Sequence, residues 1–191
     1  MWTQQWELFA PQFKEGKAHI DLTDYGVCKT LQLYPGPGFG DLSHCTTRLV
    51  LQLMKPHLQQ RHTIDIGCGS GILSFAAVAM GSCPVYGYDI DPEAVLHAQR
   101  NLELNPDRIL FSTQPPPNIP PDSVLLMNMI SSEQELAWKT LQLLHPVTLI
   151  SSGILTKDSQ DYIARKKAQN CQLLQTITEG EWSGFVFHYT P

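Results

Sequence analysis

Three glycines at alternate positions, Gly67, Gly69 and Gly71, follow the apolar run Thr63–Ile66 within Ile64–Ile72, IDIGCGSGI. Glycine has no Cβ, so a turn of this kind after a buried strand lets a ligand lie close along the backbone. Two classes of cofactor use such turns. A dinucleotide needs G-x-G-x-x-G, whose third glycine brings helix and strand together; here Ile72 stands at that position. S-Adenosylmethionine has no pyrophosphate, and needs only the close turn and an acidic partner for its ribose. Asp65, at the end of the first strand, can receive the ammonium of the cofactor's tail or order the turn. Asp89, in YGYDID, closes the next strand about 20 residues after the first glycine, where a carboxylate can accept from both ribose hydroxyls. Ile90 follows it and belongs to the same cofactor set. Turn, acidic strand end and strand order together select the methyl donor over NAD. For the adenine, FSTQ offers Ser112, Thr113 or Gln114, and a plain loop serves equally well.

These residues must be carried by alternating strands and helices. Thr63–Ile66, Val85–Ile90, Ile109–Thr113, Ser123–Asn128 and a run within VTLISSGIL have the apolar, β-branched character of buried strands. Between them, Gly71–Met80 is apolar all round and reads as a helix packed on a sheet. Pro92 opens a helix running to about Leu104, with Asp91 as its N-cap. Ser132–Leu144 and Asp158–Gln169 are further helices. Upstream, Asp41–Gln59 has helical leucine spacing, and Pro56 must kink or end that helix. CQLLQTIT and GFVFHYT, joined through EGEW, read as an antiparallel pair. Five strand–helix units imply a mainly parallel sheet with helices on both faces, with ligands beyond the carboxyl ends of its strands. Residues 1–36 form a strand-containing lead-in that ends at YPGPG, and residues 37–191 form the domain proper.

Composition bounds the function. The chain has 191 residues, 42% hydrophobic and 16% charged, as in an ordinary globular domain. A formal charge of −5 argues against broad electrostatic binding to nucleic acid. Five cysteines without a C-x-x-C pair, and histidines without ligand-like spacing, imply free thiols and no metal. No apolar stretch approaches the ~20 residues of a membrane span, and the N-terminus lacks the order of a signal peptide. The expectation is a cytoplasmic protein without membrane contact. Trp2 and Trp6 are expected to pack on the core, or else to present a partner surface.

Three segments together resemble the PrmA family of methyltransferases, which modify large-subunit ribosomal protein eleven. They are PGPGFGDLSHCTTRLVLQLM (Pro35–Met54), IDIGCGSGILSFAA with GYDIDPEAVLHAQRN, and LLMNMI (Leu125–Ile130). SGIL and the closing EWSGFVF are also similar to it. The resemblance implies a Rossmann-like class I S-adenosylmethionine-dependent methyltransferase, an α/β fold whose mainly parallel seven-stranded sheet ends in an antiparallel hairpin. By position it assigns Thr47 and Gly67 to cofactor contact, Asp89 to the ribose, and Asn128 to the side of the methyl group. Phe39 and His44 fall in the loop that covers the site. Asn128 at a strand end could hold an amine N–H and aim the nitrogen lone pair at the methyl, which is the main service an enzyme offers this chemistry. His44, with an ordinary pKa near 6.5, could assist proton removal or merely tether the loop.

The departures from the family carry information too. Asp41 and Leu42 replace its small Thr-Gly, and Cys45 replaces a proline; Asp41 could attract a cationic substrate or cap the helix beginning near Leu42. The N-terminal domain with which the family grips the ribosomal protein is not in this sequence. The favoured expectation is N-methylation of a lysine or terminal amine of a protein, such as a ribosomal protein, while the missing domain supports a different acceptor. The alternatives are a small-molecule amine, another protein, or a non-catalytic scaffold that binds S-adenosylmethionine.

Overall fold

The computed structural model describes residues 2–10 and 12–191. The lead-in holds a helix, α1 (Trp2–Phe9), and a two-stranded antiparallel sheet of β1 (Ala18–Asp21) and β2 (Thr30–Leu33). Next come α2 (Cys45–Met54), β3 (Thr63–Ile66), α3 (Ile72–Ala79), β4 (Val85–Tyr88), α4 (Pro92–Asn101) and β5 (Ile109–Ser112). The second half adds β6 (Val124–Asn128), α5 (Ser131–Thr140), β7 (Val147–Leu155), α6 (Ser159–Ala168), β8 (Cys171–Glu179) and β9 (Trp182–Tyr189). The main sheet has seven strands in the order β5-β4-β3-β6-β7-β9-β8. Its first five are parallel, and β9 runs antiparallel to both neighbours.

Local chemistry explains the boundaries. Every residue of β3 is buried, as a central parallel strand covered on both faces requires. Asp91 caps α4 by accepting from the Glu93 N–H at 2.9 Å, with Pro92 at the first helical position. α2 begins later than its leucine spacing suggests. Leu42 has φ 67, in the left-handed region that a helix cannot use, so the helix starts at Cys45 behind His44. Asp41 is accordingly not the N-cap, and instead accepts from the Ser43 backbone N–H at 2.9 Å. Pro56 sits in the short 3-10 turn that ends α2.

Two hydrophobic clusters cover the two faces of the sheet. One joins α2 and α3 to Phe111, Leu126 and Val186; the other joins Tyr162 to Leu125, Phe185 and Phe187. The lead-in is built into the first cluster through Trp6, Ile20, Leu22, Leu31 and Leu33. Trp6 is 4% exposed and donates its Nε1–H to the Gly36 carbonyl at 3.2 Å, which is the packing reading. The corresponding expectation for the Trp2 side chain lies outside the described residues. No helix among the described residues is long and apolar enough to cross a membrane.

Candidate active site

Register puts the sequence motifs at one level. Ile66 of β3 pairs with Tyr88 of β4 on one side and Met127 of β6 on the other, so Gly67, Asp89 and Asn128 are the next residues on three adjacent strands. A cavity of about 690 Å³ opens beside them, within the range of small-molecule sites. Phe39, His44, Gly67, Gly69, Asp89, Ile90 and Asn128 all line it.

The glycine turn is held from both sides. Gly67 and Cys68 donate backbone N–H groups to the Tyr88 carbonyl at 2.8 and 3.0 Å, and Gly69 donates to Asp89 Oδ2 at 3.0 Å. On the other side, the 35–40 segment lies across the turn as a strap, with the Ser70 N–H donating to the Phe39 carbonyl at 2.9 Å. A Cβ at Gly69 would stand 2.6 Å from that Phe39 oxygen, and its φ is +54, so only glycine suits the position. His97 pins the strap: its Nδ1 accepts from the Gly38 N–H at 3.1 Å, and its Nε2 lies 2.7 Å from the Tyr34 carbonyl. Asp89 also accepts from the Asp91 N–H through Oδ1 at 3.1 Å. Each carboxylate oxygen keeps a second lone pair for a ligand hydroxyl.

Asn128 presents the least satisfied group on the wall. Its Nδ2 donates to Thr47 Oγ1 at 3.1 Å, while its buried Oδ1 has no hydrogen-bond partner. Buried acceptors are normally paired, so this one is poised for a donor that arrives with a ligand. His44 sits between two aromatic rings, with its centroid 5.7 Å from Phe39 and 4.9 Å from Trp182. Its Nδ1 caps α2, accepting from the Thr46 N–H at 3.4 Å with Thr46 Oγ1 at 2.8 Å. Burial, then the nearby Arg48, lowers its pKa. The ring thus packs between Phe39 and Trp182 on the cavity wall with Nδ1 turned toward the first turn of α2.

Three sequence-selected residues do not line the cavity. Thr47 is fully buried behind Asn128 and reaches the site only through it. Asp65 is 1% exposed and turned toward α3, accepting from Ser74 Oγ at 2.7 Å. Burial raises its pKa to about 7, and the carboxyl is engaged by Ser74 of α3 rather than presented to the cavity. Gly71 is the N-terminal residue of the α3 turn, with φ 83, and packs on Phe111 and Phe75. Ser112–Gln114 also lie off the wall: Gln114 donates its N–H to Ser112 Oγ at 3.0 Å and its carbonyl accepts from the Tyr86 hydroxyl at 2.9 Å.

Conversely, one face of α5 (Glu133, Leu136, Ala137 and Thr140), together with Met129, Ile130 and Trp182, lines the cavity without having been singled out. The helical spacing of the α5 residues was a usable signal. Ile90, Ile130 and Leu136 are large, apolar and mostly exposed, an environment that a flat base can cover. Asp89, Asp91 and Glu133 put three carboxylates on the wall, and no Lys or Arg lines it among the described residues. Close backbone approach, a strand-end carboxylate and an unpartnered amide oxygen fit a nucleoside cofactor carrying positive charge. Among the described residues no cluster of His, Cys, Asp and Glu could hold a metal ion.

Comparison with known proteins bears on this arrangement. The family described as "Ribosomal protein L11 methyltransferase (PrmA)" matches residues 18–190. The ribosomal protein L11 methyltransferase of Hydrogenovibrio crunogenus is 36% identical over 160 residues, covering 82% of this chain and 54% of its own length. That of Geobacter sulfurreducens is 34% identical over 188 residues, covering 95% of this chain and 58% of its own. The chain thus spans little more than half the length of these relatives. The crystal structure of the ribosomal protein L11 methylase of Lactobacillus delbrueckii subsp. bulgaricus superposes with a TM-score of 0.69 at 23% identity, covering 83% of this chain and 84% of that one. Its likeness establishes the shared class I methyltransferase fold. Sequence match, strand order and the strand-end site agree, and the chain belongs to the PrmA family of ribosomal protein L11 methyltransferases.

Proposed function

We propose that this domain is an S-adenosylmethionine-dependent N-methyltransferase acting on a lysine or terminal amine of a protein, with ribosomal protein L11 as its acceptor. The observation that carries the reading is the buried, unpartnered Oδ1 of Asn128 beside the glycine turn and Asp89. When bound, S-adenosylmethionine supplies an electrophilic methyl on a sulfonium that is already a good leaving group. The protein's work is placement. Gly67 and Gly69 let the cofactor lie against the backbone, and Asp89 accepts from its ribose hydroxyls. Asn128 Oδ1 accepts one N–H of the incoming amine and aims the nitrogen lone pair. The amine must be neutral to attack, and burial beside Asn128 favours the neutral form. The wall carboxylates draw the cationic amine to the mouth and disfavour a phosphate-bearing acceptor. With the basic nitrogen of His44 engaged in capping, the released proton passes to water. The free cysteines support a cytoplasmic setting, where ribosomes are met.

The test is incubation with labelled S-adenosylmethionine and either purified ribosomal protein L11 or a ribosome-containing lysate. Label on L11 that is lost in Asn128→Ala supports the reading. A chain that binds the donor in calorimetry yet labels neither L11 nor any lysate protein would sink it.

A further inference from the structure

Behind the Asn128 segment lies a buried polar assembly that the mechanism above does not use. Gln134 of α5 is fully buried and spends both N–H groups on backbone carbonyls, Met129 O at 2.8 Å and Ser152 O at 2.8 Å. Its Oε1 accepts from the Tyr162 hydroxyl at 2.6 Å, and that hydroxyl lies 2.8 Å from Ser151 Oγ. Tyr162 and Ser151 are fully buried as well. Burial pushes the Tyr162 phenol up, so it stays a donor.

An apolar pair of the same size would pack α5 against α6 without the penalty of burying an amide and a phenol. What an apolar pair cannot do is choose the direction of a carbonyl. Met129 directly follows Asn128, and its carbonyl is held in a narrow slot. A Cβ at Gly153, whose φ is +92, would strike that oxygen, so bare Cα lies on one side and the Gln134 amide on the other. The Met129 side chain in turn reaches Gly67, where any added Cβ would meet its Cε. The clamp therefore fixes the Met129–Ile130 peptide, with Met129 against the glycine turn and Ile130 on the cavity wall, at the point where the chain leaves Asn128.

We infer that Gln134 is a positioning residue for methyl transfer, clamping the Met129 carbonyl with Tyr162 as its brace so that Asn128 faces the acceptor amine. The inference rests on the methyl-transfer reading of the site, and its test separates the two. The full chain carrying ¹³C-methyl methionine is compared with Gln134→Met, which keeps the length and loses both donors, and with Tyr162→Phe, which removes only the brace. S-Adenosylmethionine is the donor probe and purified ribosomal protein L11 the acceptor. In Gln134→Met the Met129 methyl resonance moves and kcat falls on the order of 10- to 100-fold, as sub-ångström to 1 Å misplacement does. The donor Kd stays within about threefold, because Asp89 and the strap are untouched. Tyr162→Phe moves the resonance the same way with a smaller fall in kcat. Variants with wild-type kcat and an unmoved Met129 resonance overturn the inference, as does a kcat that falls only in step with donor affinity. If wild-type protein fails to methylate L11, the proposed function fails; the Met129 resonance then still decides whether Gln134 holds the segment.

Discussion

Replacing Asp65 with asparagine removes a buried carboxyl whose protonation is coupled to folding. Asp65 is 1% exposed, and Ser74 is its hydrogen-bonding partner. Burial raises its pKa from 3.8 to about 7, with the neighbouring Asp89 adding to the rise. A raised carboxyl pKa means that the folded state holds the proton more tightly than the unfolded state. Stability from this group is therefore full below about pH 4 and is lost as pH rises to about 7. At roughly 1.4 kcal/mol per pKa unit, the loss amounts to ~4 kcal/mol, of which ~3 kcal/mol falls between pH 5 and pH 8. Asparagine keeps an acceptor for Ser74 and has no charge to bury. Asp65→Asn is therefore stabilised relative to wild type, and the gap widens with pH. For a domain of this size the widening corresponds to a Tm difference growing by roughly 5–10 °C. Scanning calorimetry of both proteins at pH 5 and pH 8 measures it. A Tm gap that stays constant between the two would refute a buried, proton-holding Asp65.

Gly69→Ala places a Cβ 2.6 Å from the Phe39 carbonyl oxygen, so the strap must move; donor Kd measured by calorimetry rises at least about tenfold while unfolding stays cooperative. Asn128→Ala lowers kcat on the order of 100-fold with donor Kd nearly unchanged, read by single-turnover methyl transfer. His97 behaves oppositely to Asp65. Burial lowers its pKa, so its contribution is complete above about pH 6.5 and declines on acidification, when a proton on Nδ1 displaces the Gly38 N–H. Donor affinity titrated downward from neutral pH weakens in wild type, and His97→Gln flattens that dependence.

Much of the frame was legible because local signals and tertiary demand coincide. Asp91 followed by Pro92 is a cap in any context, and a buried parallel strand such as β3 announces itself by continuous apolar character. The glycine turn and Asp89 are readable because spacing along the chain becomes adjacency once two parallel strands share a register. Other features had no local signature. Histidine is an uncommon cap, and nothing in the sequence says that Leu42 adopts φ 67 and delays the helix to Cys45. Thr47 carries the right residue type, yet its reach into the site depends on Asn128, which lies in front of it. Asp65 follows the same logic, since which way a strand-end carboxyl turns is decided by the helix it meets. The Gln134–Tyr162 bond joins residues on different helices, and its meaning depends on a carbonyl on a third element. The hairpin was readable, but the insertion of β9 beside β7 was not, because pairing partners are chosen by the whole sheet.

That insertion fixes when the cavity can be completed. β9 is synthesised after β8 yet lies between β7 and β8, so the outer edge of β7 has no partner until residues 182–189 have left the ribosome. Until then β7 offers open backbone groups, and the core lacks Phe185 and Phe187. Trp182, at the start of the same strand, is the ring that flanks His44 on the cavity wall. A nascent chain stalled before that point has its glycine turn, Asp89 and Asn128 already translated but an unfinished cavity wall, so the site is completed only when β9 is in place.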